Sequence, residues 1–283
     1  MAETERTGAA DRANTDASDA PPRHPFTRVD EQSDPAVWID VLDRLRGDLL
    51  YVGYKRRVAD LLEAQPGGRF LEVGAGTGAD ALDVARRFQV SVVGADVSKA
   101  MVDEARRRGL ADAVVADAHR LPFSSEDFDG AWADRTFQHL ADPLTALTEL
   151  VRVVRPGGRI VIADPDYGTQ VVNIPDQDLA RRVLAFRAGV GNWTLAHQMP
   201  RLFAEAGVRD IDAEAIPIVI RDPQALDNAL GLRDWARLGV EQGSIGRDDA
   251  VRWESMLDAS IAGGWFLYAF NIFITRGKTH HPS

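Results

Sequence analysis

Short apolar runs separated by longer amphipathic stretches set the pattern of the chain from Arg69 to Asp164. The runs are Phe70–Val73, Val90–Ala95, Ala113–Ala116, Phe128–Trp132 and Arg159–Ala163. They are rich in β-branched residues and bounded by turn residues, as strands buried on both faces should be. Between them the apolar spacing becomes helical. Ala79–Phe88 is one such stretch, and the clearest places Leu144, Leu147, Leu150, Val151 and Val154 on one face. Asp142 and Pro143 suit its N-cap and first helical position, and Pro156-Gly-Gly158 closes it. Alternation of this kind predicts a parallel sheet with helices on both faces. Ligands of such sheets sit at the carboxyl ends of the strands, where strand order reverses. After Asp164 prolines interrupt the pattern. Helical periods then recur over 176–188, 198–206, 223–238 and 247–261, with strands predicted over 208–220 and 265–275. No internal repeat occurs.

The turn after the first strand is the most informative local feature. Glu72-Val-Gly-Ala-Gly-Thr-Gly78 joins a strand to a helix start. Gly74, Gly76 and Gly78 can take positive φ and let a ligand approach the main chain. The helix behind them offers free N–H groups. Asp96 follows Gly78 at the end of the second strand, where a carboxylate can accept both hydroxyls of a ribose. The spacing Gly-x-Gly-x-Gly, with Glu72 before it, departs from the Gly-x-Gly-x-x-Gly of dinucleotide binders. Asp117-Ala118, ending the third strand, gives an adenosine another contact point.

Composition narrows the partners. The chain has 283 residues, a net charge of −10, 45% apolar and 27% charged residues, and no cysteine. The negative field disfavours nucleic acid. The missing cysteine excludes disulfides, thiolate metal sites and a cysteine nucleophile, and fits a cytoplasmic location. No signal peptide or membrane span is expected. Residues 1–30 and 277–283 read as disordered tails. Residues 31–276 read as one domain, with a cofactor-binding core over 65–165 and lid or substrate elements over 33–64, 166–195 and 221–262.

Six segments in order resemble class I S-adenosylmethionine-dependent methyltransferases, the broad group of ubiquinone-biosynthesis and natural-product enzymes. They are Leu71–Gly78, Gly94–Ser98 with Met101, Ala116–Ala118, Leu121–Phe123 with Phe128-Asp129, Gln138–Pro143, and Arg155–Arg159. The resemblance covers roughly residues 69–164. It implies an α/β, Rossmann-like seven-stranded mixed sheet, last strand antiparallel, flanked by helices and carrying a helical lid. It also implies S-adenosylmethionine as cofactor and S-adenosylhomocysteine as product. By position, Glu72, Gly74, Ala75, Gly76 and Gly78 would face the methionine portion, and Asp96 the ribose. Val97 and Met101 would line the adenine, and Asp117 and Ala118 would meet its amino edge. Asp134 and Arg135 would lie near the sulfonium end. Tyr51 and Tyr54, on a helix before the core, would close over the cofactor.

The acceptor side carries fewer signals. A base is needed only where the acceptor must lose a proton. His139, just after the fourth strand, is the first candidate and His197 the second, while Tyr167 with Asp166 could orient an acceptor. Asp134, Asp164 and Asp166 imitate a catechol-type metal cluster, but Asp134 is more simply placed at the cofactor, so no metal is expected. Phe186, Trp193, Trp235, Trp253 and Trp265 favour a small hydrophobic or aromatic acceptor. Methyl transfer to an oxygen, nitrogen or carbon of such a metabolite, in secondary metabolism, is the function expected. The aromatic lid and N-terminal helix could also serve a homodimer. Three other readings stand beside it. Asp164-Pro-Asp-Tyr167 resembles the (Asn/Asp)-Pro-Pro-(Tyr/Phe) signature of DNA methyltransferases, but follows the fifth strand and lacks the second proline. An NAD-dependent oxidoreductase conflicts with the glycine spacing. A non-methylating use of the same cofactor, such as cyclisation, would share every binding motif.

Overall fold

In the computed structural model, which describes residues 29–31, 36–47, 49–189, 192–223 and 231–280, the predicted strands assemble into one seven-stranded sheet. Strands β1 (Arg69–Val73), β2 (Ser91–Asp96), β3 (Ala113–Val115), β4 (Phe128–Asp134) and β5 (Val154–Val172) pair in parallel. β7 (Tyr268–Lys278) lies antiparallel between β5 and β6 (Arg209–Ile220). The order β3-β2-β1-β4-β5-β7-β6 reverses direction between β1 and β4. There the helices entered from the two strand ends cover opposite faces, which opens a crevice at the carboxyl ends.

One face packs under α2 (Leu49–Leu61), α3 (Ala79–Phe88), α4 (Lys99–Arg107), α6 (Gln177–Ala188) and the helices Leu232–Glu241 and Arg247–Ala262. α5 (Pro143–Val153) and α7 (Met199–Glu205) cover the other. The caps read from sequence form: Asp142 accepts from the Thr145 N–H and Asp176 from the Leu179 N–H, fixing where α5 and α6 begin. α1 (Ala36–Gly47) lies beside the glycine turn, its Asp43 paired with Arg108 at 2.6 Å.

Three boundaries differ from the sequence reading. β5 outruns β4, whose pairing ends at Asp134 opposite Ala163, and continues beside β7 as far as Val172. Residues 166–172, expected in a lid insert, are therefore strand. Gly277 and Lys278 belong to β7, and Thr279 is buried with its hydroxyl on the Arg155 carbonyl. The C-terminal tail thus starts later than its polar composition suggests, because β5 on one side of β7 satisfies its backbone: the Gly157 N–H donates to the Thr279 carbonyl and the Thr279 N–H to the Gly158 carbonyl, each at 2.9 Å. At the other end Val29 is buried, and Asp30 accepts from the Ser98 hydroxyl and the Lys99 and Ala100 N–H groups. The rest of the expected N-terminal tail lies outside the described residues.

Trp253 is fully buried, and its indole N–H reaches the Leu232 carbonyl at 3.1 Å, joining two helices of the C-terminal half. Trp253→Ala removes that volume and orphans the carbonyl. Urea unfolding should show a loss of about 3–5 kcal/mol. A loss below about 1 kcal/mol, the size of an ordinary surface change, would contradict this packing.

Candidate active site

The site is built at the strand-order reversal. After Val73 the chain turns through Gly74, Gly76 and Gly78, with φ of 74°, 51° and 73°. An L side chain in this region costs about 1–2 kcal/mol. At Gly74 a Cβ would also stand 2.1 Å from Thr136 Oγ1, and at Gly78 2.9 Å from Ala105 Cβ. At Gly76 the neighbour is Leu42 of α1, at 3.2 Å. The turn is therefore held from three sides by the loop after β4, by α4 and by α1. Asp96 closes it: its carboxylate accepts from the Gly76 N–H at 2.8 Å and the Ser98 N–H at 2.9 Å. Burial pushes this carboxyl above its ordinary range, against the pull of those N–H groups. Val97, beside it, presents apolar surface that is 56% exposed. Met101 is buried in the first turn of α4.

A charged cluster fills the side of the crevice under α2. Lys55 Nζ contacts Asp80 of α3 and, at 2.6 Å, Asp134 at the end of β4. The Tyr54 hydroxyl donates to Asp134 at 3.1 Å, and Arg135 Nε stands 4.0 Å from the same carboxylate. Glu72 is buried below and accepts from the Trp132 indole at 3.0 Å. Burial, then the Asp80 charge, pushes Glu72 well above the carboxylate range. Burial opposes the Lys55 charge, but Asp134 and Asp80 outweigh it and raise its pKa. Arg135 carries a left-handed φ of 52°, and its N–H reaches the Ala163 carbonyl at 2.7 Å. Strain of this kind, of order 1–3 kcal/mol, clusters at functional sites.

Beyond β4 the overhang of β5 brings a second constellation. Asp164, 1% exposed, faces the backbone N–H groups of Phe137 and Gln138, and burial pushes its carboxyl well up. Asp166, fully buried, accepts from the Gly168 N–H through Oδ1. Its Oδ2 takes the His197 N–H at 3.0 Å and lies 2.5 Å from His197 Nδ1. The His197 side chain is 53% exposed, so the ring is anchored at one nitrogen and open at the other. Tyr167 points from the opposite face of the strand. It joins a cluster with Trp193 and Phe270, at ring separations of 5.1 and 5.4 Å.

A methyltransferase-domain family model matches residues 71–162. The O-methyltransferase cnsE of Penicillium expansum is 31% identical over 82% of this chain and 90% of its own length. The chain belongs to the class I S-adenosylmethionine-dependent methyltransferases. A 37.1 kDa uncharacterised protein of transposon Tn4556 from Streptomyces fradiae is 35% identical over 81% of this methyltransferase and 68% of its own length. The YcgJ protein of Bacillus subtilis shares the fold, with a TM-score of 0.54 at 18% identity over 81% of this chain and 98% of that one.

In this methyltransferase Glu72, Ala75, the three glycines, Asp96, Val97, Met101, Asp134 and Arg135 all border the reversal between β1 and β4 or the adjoining end of β2. Asp117 stands further out, turned onto His119, whose N–H and Nδ1 it meets at 2.9 and 2.6 Å, while Ala118 is buried. Tyr51 lies in α2, and its side chain is outside the described residues. His139 ends the short turn Phe137–His139 after β4. His197 and Tyr167 both border β5, one on each face. Of the aromatic set, Phe186, Trp193 and Trp235 gather, Trp253 is core, and Trp265 stands apart and part-exposed. Sequence reading missed Lys55 and Asp80. Asp80 carried a signal, being an acid in the first turn of the helix behind the glycines.

Asp164 yields a pH test. A carboxyl raised above its unfolded value stabilises the fold below that value, 3.8, and the contribution is lost as pH rises through the folded pKa. Asp164→Asn should therefore match the wild type in Tm near pH 4 and exceed it near pH 8. Parallel melting curves across that range would contradict the assignment.

Proposed function

We propose that this methyltransferase transfers a methyl group to a hydroxyl of a small, hydrophobic, aromatic acceptor, with His197 as general base. The observation that carries the reading is the Asp166–His197 pair on the overhang of β5. Asp166 engages Nδ1, which leaves Nε2 as the acceptor for a substrate proton. Asp166 is itself anchored by the Gly168 N–H, so the ring orientation is fixed before an acceptor arrives. The O-methyltransferase relative supports oxygen as the receiving atom.

The residues at the reversal suit S-adenosylmethionine as methyl donor. When bound, that cofactor supplies an electrophilic methyl on a sulfonium. The glycine turn admits close main-chain approach, Asp96 retains lone pairs for ribose hydroxyls, and exposed Val97 offers an apolar rest for adenine. Burial disfavours the charge on Glu72, which leaves Asp80 and Asp134 against the Lys55 and Arg135 cations, a balanced cluster that suits a zwitterionic amino-acid end. NAD is disfavoured by the Gly-x-Gly-x-Gly spacing of the turn, which departs from the dinucleotide pattern.

Calorimetry should detect S-adenosylhomocysteine binding and no NAD binding; the reverse result would end this reading. Asp96→Ala should weaken S-adenosylhomocysteine by about 1.5–3 kcal/mol, roughly 10- to 150-fold in Kd. For whichever phenol in a screen accepts a labelled methyl group, His197→Ala should lower kcat by about 10²- to 10⁴-fold and leave S-adenosylhomocysteine affinity intact. Retention of wild-type kcat would remove His197 from the chemistry.

A further inference from the structure

The turn after β3 holds a histidine that is anchored at both ring nitrogens. The Arg120 N–H closes the turn on the Asp117 carbonyl at 2.9 Å, which brings His119 back onto the Asp117 carboxylate. Oδ1 of that carboxylate takes both the His119 N–H at 2.9 Å and ring Nδ1 at 2.6 Å. On the far side of the ring, Nε2 accepts the Asp142 N–H at 3.3 Å. A ring nitrogen that accepts carries no proton, so the imidazole is neutral and donates to Asp117 from Nδ1. Asp142 is itself fixed, because its carboxylate caps α5 through Thr145. The start of a helix thus steadies, through one imidazole, a carboxylate just beyond β3.

The rest of that carboxylate is open. The Asp117 side chain is 62% exposed, and among the described residues no donor reaches Oδ2. The His119 N–H outweighs partial burial and, with the ring, holds the carboxyl below its ordinary range. Oδ2 is therefore an acceptor only. Strand pairing sets its place relative to the crevice. The Ala116 N–H donates to the Asp96 carbonyl at 2.9 Å, so Val97 and Asp117 continue neighbouring strand ends, one strand spacing of about 4.8 Å apart. A base resting on exposed Val97, from a ribose on Asp96, would turn its far edge across that spacing toward Asp117.

We infer that His119 is a positioning residue that holds Asp117 so that Oδ2 meets the 6-amino group of the cofactor's adenine. This role rests on the proposed binding of S-adenosylmethionine at the reversal, and adds how the base is selected. Without the ring, Asp117 loses rotamer freedom as the base arrives. With it, the carboxylate is ordered beforehand.

Calorimetry on wild type and His119→Leu, each with S-adenosylhomocysteine and with its analogue lacking the 6-amino group, reads the coupling. Wild type should bind S-adenosylhomocysteine about tenfold or more tightly than the analogue, the size expected of a hydrogen bond to a charged acceptor. In His119→Leu that preference should shrink by about 3- to 10-fold, the range for ordering one freed side chain. Affinity for the analogue should stay unchanged, which separates positioning from general damage to the site. His119→Asn, whose side-chain amide can replace Nδ1–H as donor to Asp117, should keep most of the preference. Equal binding of the two ligands by wild type would overturn the inference, whether or not a variant folds. An undiminished preference in His119→Leu would overturn it too, as would an equal loss in His119→Asn and His119→Leu. Failure of wild type to bind S-adenosylhomocysteine would instead remove the cofactor reading beneath it.

Discussion

Two neighbouring parallel strands, β1 and β4, meet where the order of the sheet changes direction, and the site depends on that junction. Their paired ends place the glycine turn beside Asp134 and Arg135. Because α3 leaves β1 toward one face while α5 follows β4 on the other, neither of these two helices covers the gap between the strand ends. The junction is tied internally by Trp132 on Glu72, and above by Thr136 seated against Gly74. A side chain at Gly74 would therefore disturb both the turn and the loop that carries Arg135.

That gap is lined unevenly. Toward β2 lie the backbone turn, Asp96 and the apolar Val97. Toward α2 lies the group of Lys55, Asp80, Asp134 and Glu72, where protonation of Glu72 limits the repulsion among three carboxyl groups. Toward β5 and β7 the wall is aromatic, with His197 at one face of the strand and Tyr167 at the other.

Much of the frame was legible from sequence because its signals are local. Gly74 to Gly78, Asp96 and the Asp142-Pro143 helix start each act within a few residues of themselves. The pairing of Asp166 with His197 is not local, and depends on a segment folding back across the end of β5. Lys55 reaches Asp134 from a helix whose own pattern says nothing of a carboxylate. The strand boundaries after Asp164 were the least legible, because proline and polar residues there are accommodated by pairing with β7.

The position of β7 has a consequence for how the chain finds its fold. β1 to β4 join through neighbouring βα units, so that half of the sheet can form from segments close in sequence. β5 and β6 never touch each other, and both depend on residues 268–278 to bridge them. Closing loops of this length precedes any gain from pairing, which slows assembly. The nucleoside-facing half should thus be ordered while the aromatic half still awaits its middle strand, and the two halves mature as separate kinetic events.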